Sequence, residues 1–189
     1  MIQSAYQIII AITLFTNISF AQGVFCNPSE FCFQEVVIVD STFSDLMLFN
    51  RAENYLFERK NHKNSDFEKK SVEGSFNFWV YTGKGVLQKK HGLITYDLFI
   101  ETKNGKYKYV AKNFIFNYYK LDRYEKFNPT GQTKKLEDTK APGWQKVWSR
   151  HKISAEQNLL SEVEKLKKHM ESQLDKKKDE KKLNPKTDW

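Results

Sequence analysis

The stretch Lys89–Phe114, "KKHGLITYDLFIETKNGKYKYVAKNF", decides the fold. Asn104-Gly105 in its middle is the strongest short-range hairpin signal a sequence offers, because a two-residue turn with both residues at positive φ matches the twist of the flanking strands. A two-residue turn sets Lys103 opposite Lys106, and the register follows. Glu101 faces Lys108, Phe99 faces Val110 and Asp97 faces Lys112 on one side. On the other side Ile100 meets Tyr109 and Leu98 meets Ala111. One face is therefore apolar, with Tyr96, Tyr107 and Tyr109. The other is charged, with Phe99 projecting among the charges. Opposite charges directly across a strand pair contribute roughly 0.2–1 kcal/mol each, and this alternation describes an antiparallel sheet with one face in water. After Ala111 the parity breaks: Phe114, Phe116 and Tyr118 fall in step with Lys108 and Lys112. A bulge near Lys112-Asn113 restores the apolar face.

Upstream, "SFNFWVYTG" (75–83) alternates Phe76, Phe78 and Val80 against Asn77, Trp79 and Tyr81, a second long strand. "DFEKKSVEG" (66–74) is charged and weakly patterned and reads as an edge strand. "FQEVVIVD" (33–40) is a buried strand by length and composition. Between them, Ser44 is an N-cap with Asp45 in the first turn, and Phe43 and Leu48 have staple spacing. Leu48, Ala52, Tyr55 and Leu56 make a helical stripe that ends near Lys60-Asn61. Downstream, residues 120–143 read as a long polar connection punctuated by Pro129, Gly131, Pro142 and Gly143. A last helix is signalled by the capping box Ser154/Gln157 and the stripe Leu159, Val163, Leu166, Met170 and Leu174. The fold class is α+β: a single domain ordered strand, helix, four antiparallel strands, helix.

The chain has 189 residues, which is one domain rather than two. Its 40% hydrophobic and 15% aromatic content supports a packed, strand-rich core. The net charge is +8, carried mostly by lysine, with arginine only at 51, 59, 123 and 150. Specific phosphate and base contacts lean on the arginine fork, so the surplus reads first as solubility. Residues 1–21 carry no charged side chain and end in Ser19-Phe20-Ala21, small residues of the kind a signal peptidase reads. The expectation is a secretory signal over 1–21 and a mature chain from Gln22 in the periplasm or outside the cell, with an uncleaved anchor as the other reading. Residues 22–32 form a short segment holding Cys26 and Cys32, which pair as a disulfide in an oxidising compartment or remain two buried thiols. Residues 33–174 are the folded domain, and 175–189 a charged tail.

Catalytic signatures are missing from the sequence. There is no GxSxG elbow, P-loop or GxGxxG, and His62, His91, His151 and His169 show no metal-ligand spacing. No cofactor, metal or catalytic residue is expected, and a non-enzymatic protein is the leading reading. "KKHG" is the one place where cations and an imidazole gather near a glycine. Lys89, Lys90 and His91 are either a solvated loop or a weak candidate for anion binding.

The residues "EVVIVDSTFSDLMLFNRAENYLFER", the Gly74 and Gly83 around an aromatic strand, "HGLITYDLFIETKNGKYKYVAKNF" and the helix after "GWQKVWSRH" together resemble a family of secreted bacterial domains of unknown function with a TBP-like fold (DUF4468). The likeness covers about Phe33 to Met170. It implies a TBP-like domain with its helices on one face of a twisted antiparallel sheet, and it implies no activity. The functional expectation is an exported module that binds an envelope protein, a glycan or a small ligand, without specific nucleic-acid binding and without a transmembrane segment in the mature chain. The alternatives are polyanion binding, to nucleic acid or acidic polysaccharide, through the Lys84–Lys112 surface, and an enzyme with an unrecognised site.

Overall fold

The computed structural model describes residues 30–39, 43–83, 88–138 and 145–172. The expected signal segment, Cys26, Lys84, Leu174 and the charged tail lie outside them. Six strands and two helices follow in the order β1 (Phe33–Ile38), α1 (Asp45–Glu58), β2 (His62–Asp66), β3 (Ser71–Thr82), β4 (Lys89–Lys103), β5 (Lys106–Leu121), β6 (Phe127–Lys135) and α2 (Gln145–Glu171). All strand pairs are antiparallel. The sheet runs β1-β5-β4-β3-β2, with β6 also on β5. β1 pairs with Lys106–Ala111 and β6 with Ile115–Leu121, so two strands share one edge of β5.

The β4–β5 hairpin has the register its turn dictates, with Lys103 opposite Lys106, Glu101 opposite Lys108 and Asp97 opposite Lys112. Asn104 and Gly105 take φ of 52° and 69°, the left-handed pair this turn demands. Replacing Gly105 by valine should destabilise the fold by about 1–2 kcal/mol, the cost of holding a residue with a crowded Cβ in that region. Equilibrium urea unfolding checks this, and an unchanged midpoint would show that another turn geometry is in use. The bulge is also present. Thr95 faces Ile115 and Asp97 faces Lys112, and Asn113 between them has φ of 58°. It turns Phe114 and Phe116 into the core, where both are fully buried.

The charges on the open face pair differently from the simple cross-strand expectation. Asp97 takes Lys63 at 3.6 Å and the Asn113 amide at 2.9 Å. The Lys112 ammonium lies instead 4.4 Å from the Phe99 ring centroid. With that carboxylate already held by Lys63 and Asn113, the lysine covers the neighbouring ring instead.

Three element boundaries depart from the sequence reading. The edge strand is His62–Asp66 rather than 66–74, because Phe67–Lys70 forms the turn, with Lys70 at φ of 52°, and Ser71 already belongs to β3. The polar connection contains β6, whose residues are almost all exposed. Helix α2 is already formed at Gln145, so Ser154 and Gln157 lie inside it. Trp148, His151 and Ala155 extend the buried stripe of Leu159, Val163 and Leu166 backward by about three turns, and that apolar continuity outweighs the capping signal.

Both helices cover the face of the sheet that carries Tyr96, Leu98 and Phe116. Ser44 caps α1 through the Met47 N–H at 3.2 Å, and Lys60, at φ of 58°, ends it. The helices are joined by buried polar contacts as well as by their stripes. Tyr55 donates to the Glu162 carboxylate at 2.6 Å, and Arg59 reaches the same carboxylate at 2.9 Å. Burial, and then the bond to Glu162, raise the Tyr55 hydroxyl far above its ordinary pKa. Arg51, fully buried, donates to the Met170 carbonyl at 2.5 Å near the end of α2, where the helix dipole favours a cation. On the other side Glu35 accepts from Tyr109 at 2.6 Å and from Lys167 at 2.8 Å, tying β1 and β5 to α2. Cys32 is buried and disulfide-bonded, but Cys26 lies outside the described residues. Among the described residues, no helix is long and apolar enough to cross a membrane.

Candidate functional site

The open face is aromatic at the end away from the Asn104-Gly105 turn. Trp79 is opposite Leu93 in the β3–β4 register, so it projects to the side the helices leave uncovered. Tyr119 joins it from β5 and Phe127 from β6, with ring centroids 4.8 and 6.1 Å from the indole and planes at 70° and 83° to it. Tyr81 and Leu121 continue the patch and are about half exposed, at 46% and 49%. The sheet is amphipathic in the expected way near its turn, and here it is apolar on both faces.

The three sequence candidates do not act together. Lys89 and Lys90 are exposed, and Lys90 places its ammonium 4.7 Å from the Trp79 ring centroid. His91 turns to the opposite face, where its Nδ1 lies 2.7 Å from Nε2 of His151. This division has a cause in the register. Val80 faces Gly92 and Tyr81 faces Lys90, so His91 is an extra residue bulged out of the ladder. Without the bulge Lys90 would share the covered face with Gly92, and His91 would share the open face with Leu93. Bulges re-aim side chains in this way.

The sequence kept all four histidines apart; the fold brings two of them into contact. His151 is buried, and its ring stacks on Phe116 at 5.1 Å. Burial, then the neighbouring His91 and Arg150, push its imidazole down to about 4. Burial also lowers His91. Among the described residues no cluster of three or more His, Cys, Asp or Glu is placed to hold a metal.

Positive charge surrounds the aromatic end. Lys89, Lys90, Lys120, Arg123 and Lys126 are all exposed there. A groove of about 530 Å³ lies along the β5–β6 turn, lined by Lys120, Arg123, Asn128 and Thr130. The acid in that groove, Asp122, is committed to the turn. It accepts from the Tyr124 and Lys126 N–H groups at 2.8 and 2.9 Å and from the Asn128 amide at 2.8 Å. Those donors, Lys126 first, hold its carboxyl below the usual range.

The arrangement is the TBP-like class of α+β fold: one antiparallel sheet of six strands carrying two helices. Residues 33–117 match the family described as "Domain of unknown function (DUF4468) with TBP-like fold". Two solved structures share the fold. A TBP-like protein from Parabacteroides distasonis is 18% identical with a TM-score of 0.51, over 74% of this chain and 94% of that one. A DUF4468 family protein from Bacteroides ovatus is 15% identical with a TM-score of 0.53, over 77% of this chain and 91% of that one. No curated protein matches the chain.

Proposed function

We propose that the protein is an exported, non-enzymatic binding module that holds an acidic polysaccharide of the cell envelope on the open face of its sheet. The observation that carries this reading is the Trp79–Tyr119–Phe127 cluster with Lys90 over the indole, set among exposed cations. A partly exposed aromatic patch, continued by the more exposed Tyr81 and Leu121, marks an interaction surface. The C–H faces of sugar rings suit aromatic side chains, and their carboxylates suit the surrounding lysines. The surface is a sheet face rather than an enclosed cavity, which fits a polymer lying across strands better than a small ligand. Nucleic acid fits less well. The rings stand nearly perpendicular to one another and offer no parallel platforms for successive bases, and the cations are mostly lysines without the arginine fork. The non-enzymatic part of the reading rests on the missing sequence signatures, and export rests on residues 1–21.

The test is titration of the chain from Gln22 onward with alginate, neutral dextran and an oligothymidine in parallel. Alginate should bind in a salt-sensitive way and dextran should not. Trp79→Ala should weaken alginate binding about tenfold, within the range for a central interface aromatic, and Lys90→Ala should lower the salt dependence. Preference for the oligothymidine would move the reading to nucleic acid. Absence of binding to all three would overturn it.

A further inference from the structure

We propose that the His91–His151 pair is an acid-sensitive latch that holds Lys90 in place over the aromatic patch and releases it on protonation. The inference rests on the binding reading above for its biological use, but the latch itself stands on separate geometry. His91 is the bulged residue between Lys90 and Gly92, so the bulge that aims Lys90 at Trp79 is the one that aims His91 at His151. Neither side chain can change face without the other.

The pair is built to be neutral. One imidazole must donate and the other accept across the 2.7 Å contact. His151 Nδ1 is buried without a partner. The arrangement that leaves this nitrogen bare has His151 Nε2–H donating to His91 Nδ1, because an unmet acceptor costs less there than an unmet donor. A second proton on His151 would put an N–H⁺ at that buried nitrogen, facing nothing that can accept it. The surrounding groups give no relief. Arg150 acts on His151 from α2, and Lys90 and Lys89 flank His91 on β4. Phe116 faces the pair from β5, with Tyr118 edge-on behind it. From the β6 side, Lys134 lies over Trp148, which neighbours His151, and the Asp138 carboxylate is taken by Lys134 at 3.5 Å.

The direction with pH follows from these positions. A histidine released to water titrates near its ordinary value of about 6.5, whereas the latched His151 is held down at about 4. Between those values the released form carries more protons, so falling pH favours release and rising pH favours the latch. Release lets β4 relax its bulge and carries Lys90 away from Trp79. Binding of an acidic polymer should therefore weaken on acidification. Simple charge accumulation predicts the reverse, since a more positive chain would hold an acidic polymer more tightly.

The experiment follows the histidine ring protons, the Lys90–Gly92 amides and the Trp79 indole by NMR from pH 7.5 to 4.5, and alginate binding at both ends. The expected result is a shared midpoint below that of a free histidine for His91, the three amides and the Trp79 indole, with alginate binding about fivefold or more weaker at the acid end, an ordinary size for coupling between two sites. His151→Phe keeps the stack on Phe116 and removes the donor to His91, so it should abolish the acid-linked shift of the Trp79 indole. Ordinary, independent titration of both histidines with a static Trp79 signal would overturn the latch, and it is read in the unmodified protein should the variant fail to fold. A linked transition in a protein that binds no alginate would keep the latch and reject only the polysaccharide.

Discussion

Phe114→Ala should be the most damaging single truncation of the sheet, at about 3–5 kcal/mol. Phe114 is fully buried at the centre of an aromatic layer. It stacks on Tyr96 at 4.8 Å and meets Phe31 at 5.1 Å and Phe33 at 6.0 Å. Its loss removes partners from three strands' worth of contacts at a point where β1, β4 and β5 are already pinned by their hydrogen bonds, so the hole has little freedom to close. Collapse is what lowers the cost of such a truncation, and the sheet resists it. In a domain of this size the melting midpoint should fall by roughly 10 °C. Calorimetry checks the value, and a loss below about 1 kcal/mol would mean that the bulge at Asn113 does not bring this ring into the core.

Gly92→Ala should destabilise, although the same change at an unconstrained strand position would stabilise through the unfolded chain. A methyl group at Gly92 would sit 2.5 Å from Phe116 Cζ and 2.6 Å from the Asn117 carbonyl oxygen. The ring could tilt, but the carbonyl belongs to the neighbouring strand and cannot move without opening the β4–β5 ladder. Overpacking of this kind costs about 1–3 kcal/mol, and the backbone clash sets the expectation at the upper end. Phe116 also supports His151, so a displaced ring should loosen the first turns of α2. Hydrogen exchange should show earlier opening at Trp148–Ala155 than at Leu159–Met170. Uniform exchange along α2 with an unchanged melting midpoint would contradict this account.

The parts of the molecule legible in the sequence are those where one physical signal dominates. The β4–β5 register was readable because Asn104-Gly105 admits one turn type, and because a shift by one residue would have exposed Tyr96, Leu98 and Ile100 together. Helix α1 was readable from Ser44 and its stripe. Strand β6 was not, because an edge strand exposed on nearly every residue has no reason to alternate, and Pro129 and Gly131 are tolerated where a ladder has only one neighbour. β2, "HKNSD", is equally polar. The candidate site inherited these gaps. The outward aim of Trp79 follows from alternation, but its partners depend on the bulge at Asn113 and on the unseen β6. The contact between His91 and His151 joins a bulged strand residue to a helix that begins earlier than its capping signal, and no spacing along the chain encodes it.

The shared edge of β5 has a kinetic consequence. Its second half is claimed by β6 across the short turn at 122–126, whereas its first half waits for β1 across the whole of α1, β2, β3 and β4. Closing the long loop costs more chain entropy than closing the short one, and late contacts are those of greatest separation. The order of assembly is therefore built into the division of one strand: the meander from β3 to β6 zips locally, and β1 completes the sheet last, bringing the buried ring of Phe33 with it. A nascent chain leaving the ribosome, or crossing a membrane in the unfolded state, would hold its first strand in reserve until nearly all of the rest had arrived.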